Sequence, residues 1–396
     1  MQTLDIRPLE GIKVLDLTRL LPGNYCCQLL SMLGAEVVKV EDPMGGDYMR
    51  AFGTQIDGQG STHWQVNRGK RSIILDLKSE DAQAVLKKLV SSADVLVESF
   101  RPGVMERMGL GYEDLKLSNP SLIYASLTGF GSVGSLRSTA GHDLNYLAFT
   151  GFLERLGSGE GTETISIPPI PLADLIGGGL YPSLAVVAAL MRHQRTGVGC
   201  RIDCALAEGV ALMPNLVVSE ILANAQVPGR SMSDFSGGLP YYRVYSCVDG
   251  AVSVGCVEKK FFNVMAATIN KNFLIDLFDD RSNHGAIDLE LSNYFRDLTR
   301  SEIDRQFEGV DACVMTLNSY EEMLKSEQSI AAGYVRPCEG SPVDVLAPPI
   351  QFDGARPSET IPAPRYGQHT VEVLTENGFS QSEIDTLTNS KAIVQN

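Results

Sequence analysis

The chain has 396 residues, 44% hydrophobic and 20% charged, with 33 basic against 48 acidic side chains and a net charge of −15. That length exceeds one compact core, which stops growing near roughly 250–300 residues, so two lobes, or one large domain carrying an insertion, are expected. The acidic balance argues against a nucleic-acid or anionic-membrane surface but leaves room for a small anion in a local basic pocket.

The amino terminus, MQTLDIRPLEG, has no apolar core of the signal-peptide kind. Lys13–Leu17 reads as a strand, Asn24–Leu33 as a helix stopped by Gly34, and Glu36–Glu41 as the next strand. Ser72–Leu77 is a third strand, and Ser79 caps a helix whose Ala82, Val85, Leu86, Leu89 and Val90 share one face. Asp94–Phe100 and Leu122–Leu127 supply two more strands. Strands alternating with helices of this length predict an α/β fold with a mostly parallel sheet covered on both faces.

From Leu172 to Gly197 runs an apolar helical segment in which Gly177–Gly179 should admit another backbone. Its most apolar stretch, Leu180–Met191, is shorter than the roughly 18–20 residues a membrane span needs. The Gly/Ser/Pro-rich Val227–Pro240 marks a lobe boundary. Beyond it, Tyr241–Cys256 reads as a hairpin turning at Asp249-Gly250, residues 257–325 as helical, and Pro342–Pro364 as extended before a short helical tail. Eight scattered cysteines (Cys26, Cys27, Cys200, Cys204, Cys247, Cys256, Cys313 and Cys338) form no CxxC pair and have no His at ligand spacing. Neither a disulfide framework nor a metal site is expected, and the reading is a soluble, reduced, cytoplasmic protein.

Four features carry chemistry. Gly129-x-Gly131-x-x-Gly134 follows a strand as a dinucleotide fingerprint would, but SLRSTAGHD after it is no clean amphipathic helix, so a glycine turn is the simpler reading. Asn67-Arg68-Gly69-Lys70-Arg71, with Lys39 and Arg101 near strand ends, is either a solvated loop or a phosphate clamp. His142 stands in Ala140-Gly141-His142-Asp143-Leu144-Asn145-Tyr146, where Asp143 need not face the ring beside it. Asp174, in PLADLIGGGL, is either a helix-dipole partner or a buried carboxyl suited to acid/base or nucleophilic work.

PLEGIKVLDLTRLLPG, LGAEVVKVEDP, NRGKRSIILDLK, ADVLVESFRPGVMERMGLG, SLTGFG, AGHDLNYLAFTG and PLADLIGGGL occur in that order between Pro8 and Leu180. Together they resemble the class III (formyl-CoA-type) CoA-transferase superfamily, and within it the alpha-methylacyl-CoA racemase branch. The resemblance implies a large Rossmann-like CoA-binding domain over 1–226, a smaller α+β domain over 227–334, and a segment 335–396 returning to the large domain. It also implies an intertwined homodimer. Asp174 would be the shared catalytic carboxylate, paired in racemases with His142. Glu258, in Ser253-Val254-Gly255-Cys256-Val257-Glu258, would hydrogen-bond that histidine from the partner chain. Asp143 joins the catalytic set. The CoA moiety would meet Lys39, Asn67, Lys70, Arg71 and Arg101, with Arg68, Gly141 and Tyr146 nearby. The glycine-rich GGGQ-type loop of formyl-CoA-type transferases is absent; Ser236-Gly237-Gly238-Leu239-Pro240 stands near its place.

The implied reaction is inversion α to a thioester by two acid/base groups on opposite faces, with coenzyme A as part of the substrate and no redox or metal cofactor. An imidazole titrates near neutrality, about 6.5 unperturbed, whereas a carboxyl near 3.9 must be raised by burial. The enolate oxygen needs preorganised donors, expected at the backbone N–H groups opening the Asp174 helix. Competing readings are CoA transfer through an Asp174 anhydride, a non-catalytic acyl-CoA-binding protein, and a nicotinamide dehydrogenase resting on Gly129–Gly134. The acyl chain is left to apolar surface in the 210–240 region, such as Met213 and Met232.

Overall fold

The computed structural model describes residues 6–159, 162–357 and 361–395, and divides into two compact units. Unit 1 comprises Met1–Phe152, Pro168–Pro214 and Ile330–Asn396; unit 2 comprises Leu153–Ile167 and Asn215–Ser329. The first five residues of the amino-terminal stretch, and 358–360 of the expected extended segment, lie outside the described residues.

Unit 1 is built on six strands: β1 (Lys13–Leu17), β2 (Glu36–Glu41), β3 (Lys70–Ile74), β4 (Val95–Glu98), β5 (Ile123–Thr128) and β6 (Cys200–Ala205). All pairings within this sheet are parallel and its order is β3-β2-β1-β4-β5-β6, the doubly wound arrangement. One face packs Leu15, Val38, Ile73 and Leu96 against α2 (Glu80–Val90) and the carboxy-terminal Leu374 and Ile384. The other packs Val14, Val37 and Val95 against α1 (Leu20–Met32) and α4 (Tyr181–Thr196). As expected, Ala82, Val85, Leu86, Leu89 and Val90 are the buried face of α2.

A π-helical stretch, Ala173–Leu180, leads into α4. Its glycines explain the close packing: a Cβ on Gly177 would lie 2.2 Å from the Leu206 carbonyl oxygen, and one on Gly178 2.4 Å from Pro22 Cβ. The expected membrane shortfall needs correcting, because the continuous helix Ala173–Thr196 is by length and composition apolar enough to cross a bilayer. Gly177–Gly179, Val186, Ala189 and Leu190 are buried inside unit 1, whereas Leu180, Leu184 and Met191 are exposed.

Unit 2 holds an antiparallel sheet in the order β9-β8-β7, made of β7 (Tyr242–Cys247), β8 (Gly250–Gly255) and β9 (Val314–Thr316). Cys247 pairs with Gly250, so the hairpin turns on Val248-Asp249, one residue earlier than expected. The division falls at 214/215 rather than 226/227, the return to unit 1 begins at 330 rather than 335, and 153–167 belongs to unit 2. The physical reason is a set of polar ties from that segment to 228–231. Arg155 Nη2 donates to Pro228 O at 2.9 Å, and Arg230 donates to Glu154 O and Thr164 Oγ1, both at 2.7 Å.

Candidate active site

α3 (Asp143–Phe149) opens at His142, whose backbone is extended and whose N–H donates to Asn145 Oδ1 at 3.0 Å. The imidazole is exposed. One residue on, Asp143 Oδ1 accepts the N–H groups of Ala173 (2.6 Å) and Asp174 (3.2 Å), bridging α3 to the turn that carries Asp174. Burial, then the charge of Asp143, pushes the Asp174 carboxyl up to about 7. Burial also raises Asp143, but the two N–H groups it accepts oppose that rise.

Tyr146, buried on α3, donates its hydroxyl to Gly141 O at 2.6 Å and packs edge-on against Phe130. Burial, then the charges of Asp174 and Asp143, pushes the phenol up to about 12. A Cβ on Gly129 would approach the Tyr146 hydroxyl to 2.5 Å, and one on Gly141 would lie 2.8 Å from the ring. Gly129 therefore makes room for a side chain, while Gly131 and Gly134 take φ of +88° and +85° in turns. The first helix after them is α3, fourteen positions past Gly129, so the GxGxxG spacing is a glycine turn.

Two expectations are corrected. The N–H groups of Ala173 and Asp174 are taken by Asp143, and that of Leu175 by Pro171 O at 3.1 Å, so they do not form an open oxyanion site. Nor do Lys39, Asn67, Lys70, Arg71 and Arg101 share one face. Lys70 and Arg71 are consecutive on β3 and point to opposite sides of the sheet. The Lys70 ammonium is fully buried on Asp16 (2.9 Å), Asn67 Oδ1 (2.9 Å) and Asn24 O (3.0 Å). Lys39, equally buried, meets Asp47 at 2.7 Å and Asn24 Oδ1 at 2.6 Å. Arg71 instead pairs with Glu376 (2.6 Å) and Glu372 (3.2 Å), and Arg68 donates to Leu346 O at 2.6 Å.

Lys39, Asn67 and Lys70 belong to a buried network that sequence reasoning missed, in which Asp16, Glu41 and Asp47 face Lys39, Lys70 and Arg50. Burial alone would raise Asp16, but the ammoniums of Lys39 and Lys70 outweigh it and hold the carboxyl below its ordinary value. Asp47 is likewise depressed, burial being overcome by Lys39, and Lys39 is raised because Asp16 and Asp47 overcome its own burial. His63 is pushed down to about 3 by burial and by Arg50, and so is neutral. A signal was present, since an Asp inside the apolar run KVLDL requires a buried cation.

Arg101 is exposed beyond β4. It lines a small recess with Glu98, Ser126, Thr128 and Arg201 at the carboxyl ends of β4 and β5. Glu98 there is pushed up to about 7 by burial, against hydrogen bonds from Ser126 and the Phe100 N–H. Beside it, the Arg19 N–H donates to Ser99 Oγ at 3.2 Å, joining the ends of β1 and β4 where the strand order reverses. That switch point is where doubly wound sheets take ligands.

In unit 2, Glu258 is the exposed residue that caps Lys259–Thr268, between β8 and that helix, as the strand-to-helix pattern implied. An open cleft in the same unit is lined by Ser236, Gly237, Tyr242, Arg243, Ser253 and Cys313. Among the described residues, no group of three or more His, Cys, Asp or Glu side chains stands in metal-holding geometry.

A doubly wound sheet with a carboxyl of near-neutral pKa, bridged to a histidine-capped helix, defines an α/β enzyme equipped for acid/base or acyl chemistry at a carboxylate. The chain belongs to CoA-transferase family III, whose pattern matches residues 9–370. It is similar to human alpha-methylacyl-CoA racemase, with 36% identity covering 98% of each chain. It is also similar to human succinyl-CoA:glutarate CoA-transferase, with 32% identity covering 94% of this chain and 86% of the relative. A CAIB/BAIF family protein from Brucella suis superposes with a TM-score of 0.82 at 29% identity, over 93% of this chain and 99% of that one.

Proposed function

We propose that the chain racemises 2-methyl-branched acyl-CoA thioesters by proton transfer between His142 and Asp174. The observation that carries this reading is the Asp143 bridge, because it ties the helix start bearing His142 to the turn bearing a carboxyl that titrates near neutrality. In one direction His142 takes the α-proton while the C–H electron pair moves into the thioester as an enolate. Protonated Asp174 then returns a proton to the opposite face as the enolate collapses. In the other direction the roles exchange, and no net proton or electron is consumed.

The CoA moiety is part of the substrate, and the switch point at the ends of β1 and β4 is the place to hold it. The reading extends to a homodimer in which Glu258 of one chain hydrogen-bonds His142 of the other. The helix Asn215–Leu222 supports a subunit interface, since none of its residues is buried and Leu216, Ile221 and Leu222 are exposed. A cytoplasmic setting is supported by eight free cysteines.

A second reading is favoured by the likeness to a CoA-transferase. Here Asp174 attacks the acyl carbonyl to form an anhydride as CoA leaves as the thiolate, and the thiolate then attacks the Asp174 carbonyl, releasing the donor acid and leaving an Asp174–CoA thioester. The acceptor carboxylate attacks that thioester and frees the thiolate again, which attacks the acceptor carbonyl of the new anhydride to give the acceptor's CoA thioester and free Asp174. The deciding experiment incubates a 2-methylacyl-CoA with the protein in D2O without any acceptor acid. Racemisation predicts one deuterium at the α-carbon by mass spectrometry, lost in His142→Ala. Absence of exchange, together with CoA movement to added carboxylic acids, would establish transfer instead.

A further inference from the structure

Two carboxylates stand together in unit 1, and the proposed reaction uses only one of them. Asp143 and Asp174 differ in their partners: Asp143 Oδ1 accepts two backbone N–H groups, one of them from Asp174 itself. Hydrogen bonds of that kind favour the ionised form of the acceptor. Where two carboxylates share a site, the proton goes to the less solvated one with fewer donors. The geometry therefore places the negative charge on Asp143 and the exchangeable proton on Asp174.

We propose that Asp143 is a positioning residue for Asp174: its carboxylate caps the opening turn of Ala173–Leu180 and keeps Asp174 as the protonated partner of a two-carboxylate pair. This rests on the acid/base reading of Asp174 given above. The cap fixes where the Asp174 backbone sits, because both N–H groups at the start of the turn end on one oxygen. The same residue follows His142 directly, so one side chain sets the spacing between the two reacting groups.

Among the described residues, the charge that acts on Asp174 from the elements packed against the turn is that of Asp143. From α3 come Asp143 and the Tyr146 phenol. From α1 comes Tyr25, whose ring lies against Gly179, and from α4 Tyr181, whose hydroxyl reaches Met213. The helix Leu206–Ala211 brings Glu208, which lies near Gly131. Arg201 of β6 is engaged by Asp203 at 2.9 Å and Glu106 at 3.8 Å.

The test compares wild type with Asp143→Asn, which keeps an oxygen able to accept both N–H groups and removes only the charge, and with Asp143→Ala, which removes both. Two readouts are taken on the full-length protein. The first is a 13C titration of aspartate carboxyls, with the Asp174 signal assigned by its loss in Asp174→Asn. The second is α-proton exchange in D2O across pH 5–9. In Asp143→Asn the Asp174 midpoint should fall by about one pH unit, with the matching limb of the kcat profile moving alike. KM should change less than about twofold and kcat at neutral pH drop about tenfold. Asp143→Ala should lose a further factor of about ten in kcat through the missing cap. An Asp174 midpoint in Asp143→Asn equal to that of wild type overturns the proposal. A shifted midpoint in a protein that exchanges no α-proton upholds it while refuting the racemase reading.

Discussion

Lys39 and Lys70 do at the residue scale what a surface lysine cannot. Each is wholly desolvated, so its charge is tolerable only because Asp16 and Asp47 stand within hydrogen-bonding distance. Removing one member leaves an unpaired buried charge, and Lys70→Met should cost about 3–5 kcal/mol. Arg71→Ala, whose glutamate partners are half exposed, should cost under about 1 kcal/mol. Urea unfolding at pH 7 separates the two; near-equal losses would show that Lys70 is not carrying a buried pair. The pH dependence has two opposite signs. The depressed carboxyls of Asp16, Glu41 and Asp47 add stability above about pH 4 that is lost as pH falls through their folded values. The raised Lys39 adds stability that is complete below about pH 10 and lost only above that. Asp174, raised to about 7, works against folding as pH climbs from about 4 to 7, because the unfolded chain ionises it more easily. Asp174→Asn should therefore be more stable than wild type at pH 8 by on the order of 1–2 kcal/mol, with the gain vanishing near pH 4.

The element that sets the site is the turn Ala173–Leu180. It lies against α1 and the strand-to-helix corner at Leu206 only because three consecutive residues lack side chains. Gly177→Ala would put a methyl 2.2 Å from a backbone carbonyl that cannot rotate aside. The expected result is a loss of about 1–3 kcal/mol in stability and a fall in kcat larger than in KM, since Asp174 sits on the same turn. An unchanged kcat would mean that the turn absorbs the shift without moving Asp174. Elements of this kind were legible because their signal is local. The apolar runs of β1, β2, β4 and β5, the spaced face of α2 and the Gly177–Gly179 contact all follow from residue type and period. β6 was missed because Cys200–Ala205 is an edge strand whose Arg201 and Asp203 alternate with half-buried residues, leaving no apolar run. β3 begins at Lys70, two residues before the apolar stretch, because a neutralised lysine can enter a buried strand. The same blindness to pairing turned Lys39, Asn67 and Lys70 into a surface clamp. Their counter-ions lie on β1, β2 and the loop at Asp47, which a reading of one motif at a time does not assemble. Similarly, Asp174 stood out in its motif, but its link to Asp143, thirty-one positions earlier, exists only in three dimensions.

For the whole molecule, the decisive question is whether one chain completes its own site. Unit 1 carries His142, Asp143 and Asp174, and unit 2 carries Glu258. The proposed homodimer assigns Glu258 to the histidine of the partner, and complementation tests that assignment without any reference to the distance between units. His142→Ala and Glu258→Ala should each lower α-proton exchange as homodimers, the first to background. Co-expressed, half of the dimers are mixed. If sites form across chains, each mixed dimer has one site with both lesions and one with none, so about a quarter of all sites regain wild-type chemistry. If each chain completes its own site, every site in a mixed dimer carries one lesion and no activity returns. Two different affinity tags isolate the mixed species, in which the recovered rate per dimer should approach half that of wild type. Sedimentation of the purified protein must also give twice the chain mass of 42.9 kDa; a monomer that exchanges the α-proton would rule out any contribution from a partner.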